Sequence, residues 1–300
     1  MTELDPDWNH YRSFLSVLEH GSLSASARAL GLTQPTLGRH IDELQKRLGL
    51  VLFTRSTSGL IPTAAALTLH PHAEALRSAT AAIERAALGL GEGVRGVVRI
   101  TASEVIGVEV LPPILTRLRQ QHPDLQLELV LSNQLQNLLQ RDADIAVRMV
   151  APTQEALIAR RIGQITLGLH AHQDYLQRMG TPASLSDITA PHVLIGFDTL
   201  TEYLRTLLSR HPQIDPKQFS FRCDSDVAQL AMIRAGFGIG FCQVGIARRE
   251  PLLQRLVAGF EMQLETWVAM HENLRDNPAC RLTFEALAAG LHRYISQTTP

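Results

Sequence analysis

Few of the residue patterns that announce a chemistry outright occur in this chain. Cysteine is scarce: Cys223, Cys242 and Cys280 are the only three in 300 residues, far apart, with no zinc spacing and no even set for disulfides. That usage excludes a disulfide scaffold and points to a reducing, cytoplasmic compartment. No run of about 18 apolar residues occurs, and the opening MTELDPDW lacks the basic-then-apolar order of an export signal, so neither a membrane span nor secretion is expected. Charge of one sign is missing too. The net charge is -1, and residues 1–63 carry acids and bases in equal number, so contact with nucleic acid has to rest on placement rather than on a global basic field.

Catalytic and cofactor signatures are equally thin. No G-x-S-x-G elbow and no H-E-x-x-H segment occurs, and His170 and His172 on one strand have no evident third ligand, so no catalytic residue, metal or cofactor is expected. Gly89, Gly91, Gly93 and Gly96 follow a helical stretch and mark a boundary. Gly236-x-Gly238-x-Gly240 leads from helix to strand, the reverse of a dinucleotide fingerprint, and reads as turn chemistry. The balance of 45% apolar to 19% charged residues is that of an ordinary globular chain long enough for two or three domains.

The most readable stretch runs from Ser24 to Leu48. Gly31 and Leu32 separate a short segment with Ala27 and Leu30 from a longer one with Leu37, Ile41, Leu44 and Leu48, whose 4-3-4 spacing puts all four on one helical face. Thr33 can cap the second helix, and Pro35 is tolerated where first-turn amides have no partner to lose. Pro35, Arg39, Asp42 and Lys46 then point away from the core, beside Thr36 and Gly38. Such a helix-turn-helix suits a major groove, with Thr33, Gln34, Pro35, Thr36, Arg39 and His40 as the contacting residues. The plainer reading is two amphipathic helices of any helical protein. Before this stretch, Trp8, Tyr11, Phe14, Leu15 and Leu18 predict a supporting helix stopped by Gly21. After it, residues 49–62 predict a hairpin wing whose Arg55 suits phosphate oxygens, or else a solvated loop.

These segments, S-A-R-A-L-G-L-T-Q-P-x-L from Ser26, R-H-I-x-x-L from Arg39 and L-G-L-x-L-F-x-R from Leu48, resemble the LysR-type transcriptional regulators. The resemblance covers essentially the whole chain. It departs at Ser26, Gly38 and Gln45, where alanine, serine and glutamate are usual. It implies an α/β protein: an N-terminal winged helix-turn-helix (1–63), a linker and dimerisation helix (64–93), and a two-lobed effector domain like a periplasmic binding protein of type 2 (94–300). Lobe I would take 94–165 and 267–300, and lobe II 166–266. The implied partners are double-stranded DNA, a small-molecule effector and further copies of the chain, as a homodimer or homotetramer.

The residues themselves support much of this. Leu69, Ala73, Leu76, Thr80, Ile83, Ala87 and Leu90 keep a 4-3 alternation that makes a seam for another helix, with Pro71 predicting a kink or a late helix start. From Val97 onward strands and helices alternate, which implies a parallel sheet covered by helices, with a short helix through Leu138 and Leu139. In open α/β sheets, ligands sit beyond the carboxyl ends of strands. That rule selects Ser103, Ser132, Asn133 and Arg148 from one lobe, and Phe197, Cys223 and Gln243 from the other. Capping explains the serines equally well, and a nearby acid could pair with Arg148. Gln243 stands near where the family commonly has proline. Glu104, Asp198, Asp224 and Asp226 would turn the preference from an anion toward an amine or zwitterion if they face inward. A solute-binding protein or an enzyme on the same scaffold would explain the cleft, but leaves Thr33 to Lys46 and the heptad helix without a purpose.

Overall fold

The computed structural model describes residues 7–56, 59–88, 94–133, 143–152, 157–212 and 214–298. The described residues up to 84 form one compact unit, and those from 85 onward a second.

In the first unit each helix starts and stops where its caps dictate. α1 (Trp8–His20) begins on Asp7, whose carboxylate accepts from the Asn9 amide, and ends at Gly21 with φ 67°. α2 (Leu23–Leu30) begins on Ser22 and ends at Gly31, also at φ 67°. α3 (Gln34–Leu48) begins on Thr33, with Pro35 in its first turn. Left-handed glycine closes all three because a Cβ there would strain the backbone. Leu37, Ile41 and Leu44 enter a core with Phe14, Leu15, Val17 and Ala27. Each fully buried leucine contributes roughly 2 kcal/mol. β1 (Phe53–Ser56) pairs antiparallel with β2 (Gly59–Pro62), Phe53 opposite Pro62. The Leu60 amide donates to the Gly21 carbonyl at 2.8 Å, and a Cβ on Gly59 would lie 2.5 Å from that same oxygen, so only glycine lets the wing hook onto the α1–α2 turn. Gln45 contributes an unforeseen brace: its Oε1 accepts from the Leu52 and Phe53 amides.

α4 (Ala64–Leu88) is one helix with Pro71 inside it, begun by Thr63, so the late start does not occur. Its seam divides into two parts. Ala66 and Ala73 are buried in the core of α1–α3 and Leu69 packs against it, whereas Leu76 and Ile83 are 40% and 69% exposed. The Ala87 side chain, Leu90, Gly89, Gly91, Gly93, the Thr57–Ser58 wing tip and the proposed helix through Leu138 and Leu139 lie outside the described residues.

The second unit contains β3 (Gly96–Ala102), α5 (Leu111–Gln121), β4 (Leu125–Leu131), β5 (Ile145–Arg148), β6 (Leu157–His172), α6 (Gln173–Met179), β7 (Leu194–Gly196) and α7 (Glu202–Ser209). It continues with β8 (Phe219–Arg222), α8 (Asp226–Arg234), β9 (Gly240–Gln243), α9 (Val244–Ala247), β10 (Leu253–Leu256), β11 (Met262–His271) and α10 (Pro278–Thr298). A single sheet runs β10-β6-β11-β5-β3-β4, with β9 also on β6, and β7 pairs with β8 separately. The expected parallel pairing is found in β4-β3-β5 of the large sheet, in β7-β8 and in a bridge from Leu194 to Ile239, whereas β6 pairs antiparallel with β9, β10 and β11, and β11 antiparallel with β5. The sheet is therefore mixed. β6 is 16 residues long. Only its second half reads as a strand in sequence, because Arg160, Arg161 and Gln164 interrupt the apolar pattern of the first.

Two cores hold this unit. One joins β3, β5, α5 and α10 through Val98, Ile100, Val147, Leu118, Leu287 and Leu291, and also takes Leu230 and Ile233 of α8. The other gathers Leu169, Tyr175, Leu194, Phe219, Ile239 and Phe260. Ser103, Ser132 and Arg148 thus stand at the carboxyl ends of three adjacent parallel strands.

Candidate functional site

The outward face of α3 is built by its own cap. Thr33 Oγ1 accepts from the Thr36 amide at 3.3 Å and shares a hydrogen bond of 2.8 Å with the Thr36 hydroxyl. Ser24 on α2 donates to Gln34 Oε1 at 2.8 Å, which ties the helix start across the turn. Pro35, Arg39, Asp42 and Lys46 are all exposed. Arg39 lies 3.8 Å from Glu43 one turn on, its one ion pair among the described residues, and its side chain is 68% exposed. His40 differs from its neighbours. It is half-buried, its Nδ1 lies 2.8 Å from Ser13 Oγ, and its ring centre is 5.1 Å from that of His10. Burial, then the charge of His10, push its pKa below the usual histidine value, so the ring is neutral at pH 7. Arg55 is exposed on β1, in register with Leu60. Gly38 is not demanded by packing: a Cβ there would meet only Leu23 Cδ1, at an ordinary 3.8 Å.

In the second unit the strand ends bring several of the selected residues together. Ser103 directly follows β3, its carbonyl accepts from the Gly107 amide, and its hydroxyl has no partner among the described residues. The Ser132 amide donates to the Ala102 carbonyl at 2.9 Å. Asn133 Oδ1 accepts from the Glu104 amide at 3.1 Å, and its Nδ2 donates to Asp226 at 3.0 Å. Ser225 caps α8 by accepting from the Ala228 amide and donates its own proton to Glu104 at 2.7 Å. For Ser225, capping and a role in this cluster hold together.

The acids that sequence could not orient are now sorted. Glu104 accepts from Ser225 and Asp226 from Asn133, and burial, then the charge of Glu104, raises Asp226 to about 6. Asp224 instead accepts from the Asp198 and Thr199 amides and braces their loop. Arg148 is 6% exposed and donates to Thr101 Oγ1 at 2.8 Å and to the Val147 carbonyl. No acid pairs with it among the described residues, its Nε is buried without a partner, and burial lowers its pKa to about 10. Such a group favours an anion close by.

Three residues stand otherwise. Gln243, 5% exposed, accepts from Tyr294 at 2.8 Å and so forms half of a buried pair with α10. Phe197 is half-buried just after β7, and Cys223 is a half-buried free thiol whose carbonyl accepts from Gln229. Among the described residues no group of histidine, cysteine and acids could hold a metal. His170 is buried beside the Gly168 carbonyl, and His172 caps α6.

Comparison with known proteins agrees with this division. Residues 8–67 match the model described as bacterial regulatory helix-turn-helix protein, lysR family, and residues 91–291 match the LysR substrate binding domain. An HTH-type transcriptional regulator of Xanthomonas campestris pv. campestris (strain 8004) is 33% identical over 176 residues, 59% of this chain and 51% of its own. The chain spans about half to three fifths of the length of the curated relatives it matches. The full-length structure of the Vibrio cholerae virulence activator AphB, a member of the LTTR protein family, superposes with a TM-score of 0.62 at 20% identity, covering 96% of this chain and 100% of that one. Full-length CbnR complexed with its target DNA gives 0.67 at 20% identity, over 95% and 99%. At these identities the likeness to solved structures is one of fold. The longer family match runs over more than half of the residues, and the chain belongs to the LysR family of bacterial regulatory proteins.

Proposed function

We propose that this protein is a DNA-binding transcriptional regulator of the cytoplasm. It reads an operator with α3, sets the wing against the duplex backbone, and changes its output when a small-molecule effector binds at the strand ends of the second unit. The observation that carries the reading is the outward row of α3. Pro35, Arg39, Asp42 and Lys46 are exposed along a helix whose opposite face is fully buried, and a helix with one free polar row at the end of a helix-turn-helix fits a major groove. A solved structure of similar fold, CbnR, holds its target DNA in the same family setting. Thr33, Gln34, Pro35, Thr36 and Arg39 would meet the duplex from α3, with Arg55 at a phosphate. His40 would act mainly by seating the helix on α1.

The effector reading is supported by Ser103, Ser132, Asn133 and Arg148 lying at adjacent strand ends, with Phe197 and Cys223 following the separate strands β7 and β8. We assign residues 1–63 to DNA binding, 64–93 to a linker that pairs copies of the chain, and 94–300 to effector binding in two lobes, 94–165 with 267–300 and 166–266. The exposed Leu76 and Ile83 support pairing as a homodimer or homotetramer. Among the described residues no helix is long and apolar enough to cross a membrane. A gel-shift titration against the intergenic DNA upstream of the coding sequence tests the proposal. Retention at lower protein concentration than unrelated DNA of equal length is expected, and equal affinity for both would overturn it.

A further inference from the structure

Glu43, one turn beyond Arg39 on α3, is shared between two elements. Its Oε1 lies 3.8 Å from Arg39 Nε, while its Oε2 lies 3.0 Å from His10 Nε2 on α1. Arg39 precedes Glu43 by four residues, the weaker order for such a pair on a helix, so the arginine by itself holds the carboxylate poorly. The stronger order would join Glu43 to Arg47, four residues further on. Arg47 is engaged elsewhere: it donates to the Tyr11 hydroxyl at 2.8 Å, with its guanidinium carbon 5.7 Å from the centre of that ring. Two successive residues of α1 thus take the carboxylate and its natural partner apart.

His10 is placed to face that carboxylate. Its side chain is 15% exposed, its ring centre lies 5.1 Å from that of His40, and its Nδ1 is buried with no partner among the described residues. A neutral ring therefore keeps its proton on Nε2, where Glu43 stands at 3.0 Å and Asp7 at 3.8 Å, because a proton on Nδ1 would be buried without an acceptor.

We propose that His10 is a positioning residue for DNA binding: it draws Glu43 toward α1 and so leaves the Arg39 guanidinium free for the duplex. This rests on the reading of α3 as the helix that faces DNA. Without the His10 contact, Glu43 turns back to Arg39, competes with the duplex for its guanidinium and sets an unheld acid beside the phosphates. His10 acts through Glu43 and needs no contact with DNA of its own.

A mutant cycle on the full chain tests this, by fluorescence anisotropy against the upstream intergenic DNA and an unrelated duplex of equal length. His10→Phe keeps a ring against His40 and removes the donor, and affinity should fall about two- to five-fold, the range an exposed ion pair covers. His10→Asn, whose amide stops at the position of Nδ1, should do the same. His10→Gln, whose amide reaches the position of Nε2, should bind as wild type. In a Glu43→Gln background, and again in Arg39→Ala, adding His10→Phe should leave affinity unchanged. A loss that persists in those backgrounds, an equal loss in His10→Gln, or no loss in His10→Phe and His10→Asn would overturn the proposal and confine His10 to packing α1 on α3. Should His10→Phe fail to fold, the contrast of His10→Asn with His10→Gln decides the matter. Operator recognition is judged separately, by the preference of wild type for the intergenic DNA. The cycle is read on either duplex, because a clamp of Arg39 on phosphate contributes to both, so failure of one reading is distinguishable from failure of the other.

Discussion

Arg39 and Gly38 are neighbours on α3 with opposite physical standing. Arg39 is exposed and, among the described residues, held by no more than a loose contact of 3.8 Å to Glu43, so its guanidinium is available for a bidentate contact to guanine or a clamp on phosphate. Arg39→Ala should weaken operator binding by roughly 1 to 3 kcal/mol while leaving the fold intact, as titration by fluorescence anisotropy beside an unfolding curve would show. Gly38 sits in the middle of the same helix with room for a methyl group. Gly38→Ala should therefore raise the stability of the first unit by about 1 kcal/mol, read as a higher midpoint in urea. A drop in stability would mean that the backbone here is strained in a way the packing does not show. Helical periodicity places both on the outward side of α3, and Gly38 also departs from the serine usual in the family. His40 stands with them in the sequence pattern, but its link to Ser13 and its tilted ring contact with His10 come from α1, which no local pattern reports.

At the scale of elements, α4 shows how a uniform pattern can serve two purposes. Its 4-3 alternation reads as one seam, yet the first part packs on α1–α3 and only the later positions remain open. Replacing Leu76 and Ile83 together with charged residues would place unpaired charge in any helix pair built on them, and should shift the protein to monomer in sedimentation velocity, with lower DNA affinity. An intact oligomer in the double variant would rule out this stretch as the pairing surface. The long strand β6 is the converse case. Its Arg160 and Arg161 hide it from a strand pattern because they reach across to Glu285 and Glu265, partners 125 and 104 residues away.

At the scale of the molecule, effector control requires that a bound molecule favour one arrangement over another by differential affinity. Ser103→Ala and Arg148→Ala should blunt an effector-dependent reporter response while basal DNA binding is spared, and a full response in both variants would confine these residues to structural duties. The amino-acid sequence by itself determined the helix-turn-helix, the wing, the α/β alternation and the family, because caps, periodicity and turn glycines act over only a few residues. Contacts distant in sequence decided the rest. The antiparallel return of β11 between β5 and β6, the burial of Gln243 against Tyr294, the contacts of Asn133 with Asp226 and of Ser225 with Glu104, and the burial of Arg148 against Thr101 each depend on which segments meet across the fold. Burial and charge at such meeting points are properties of the assembled chain, and they set which candidate side chains are free to bind and which are already spent.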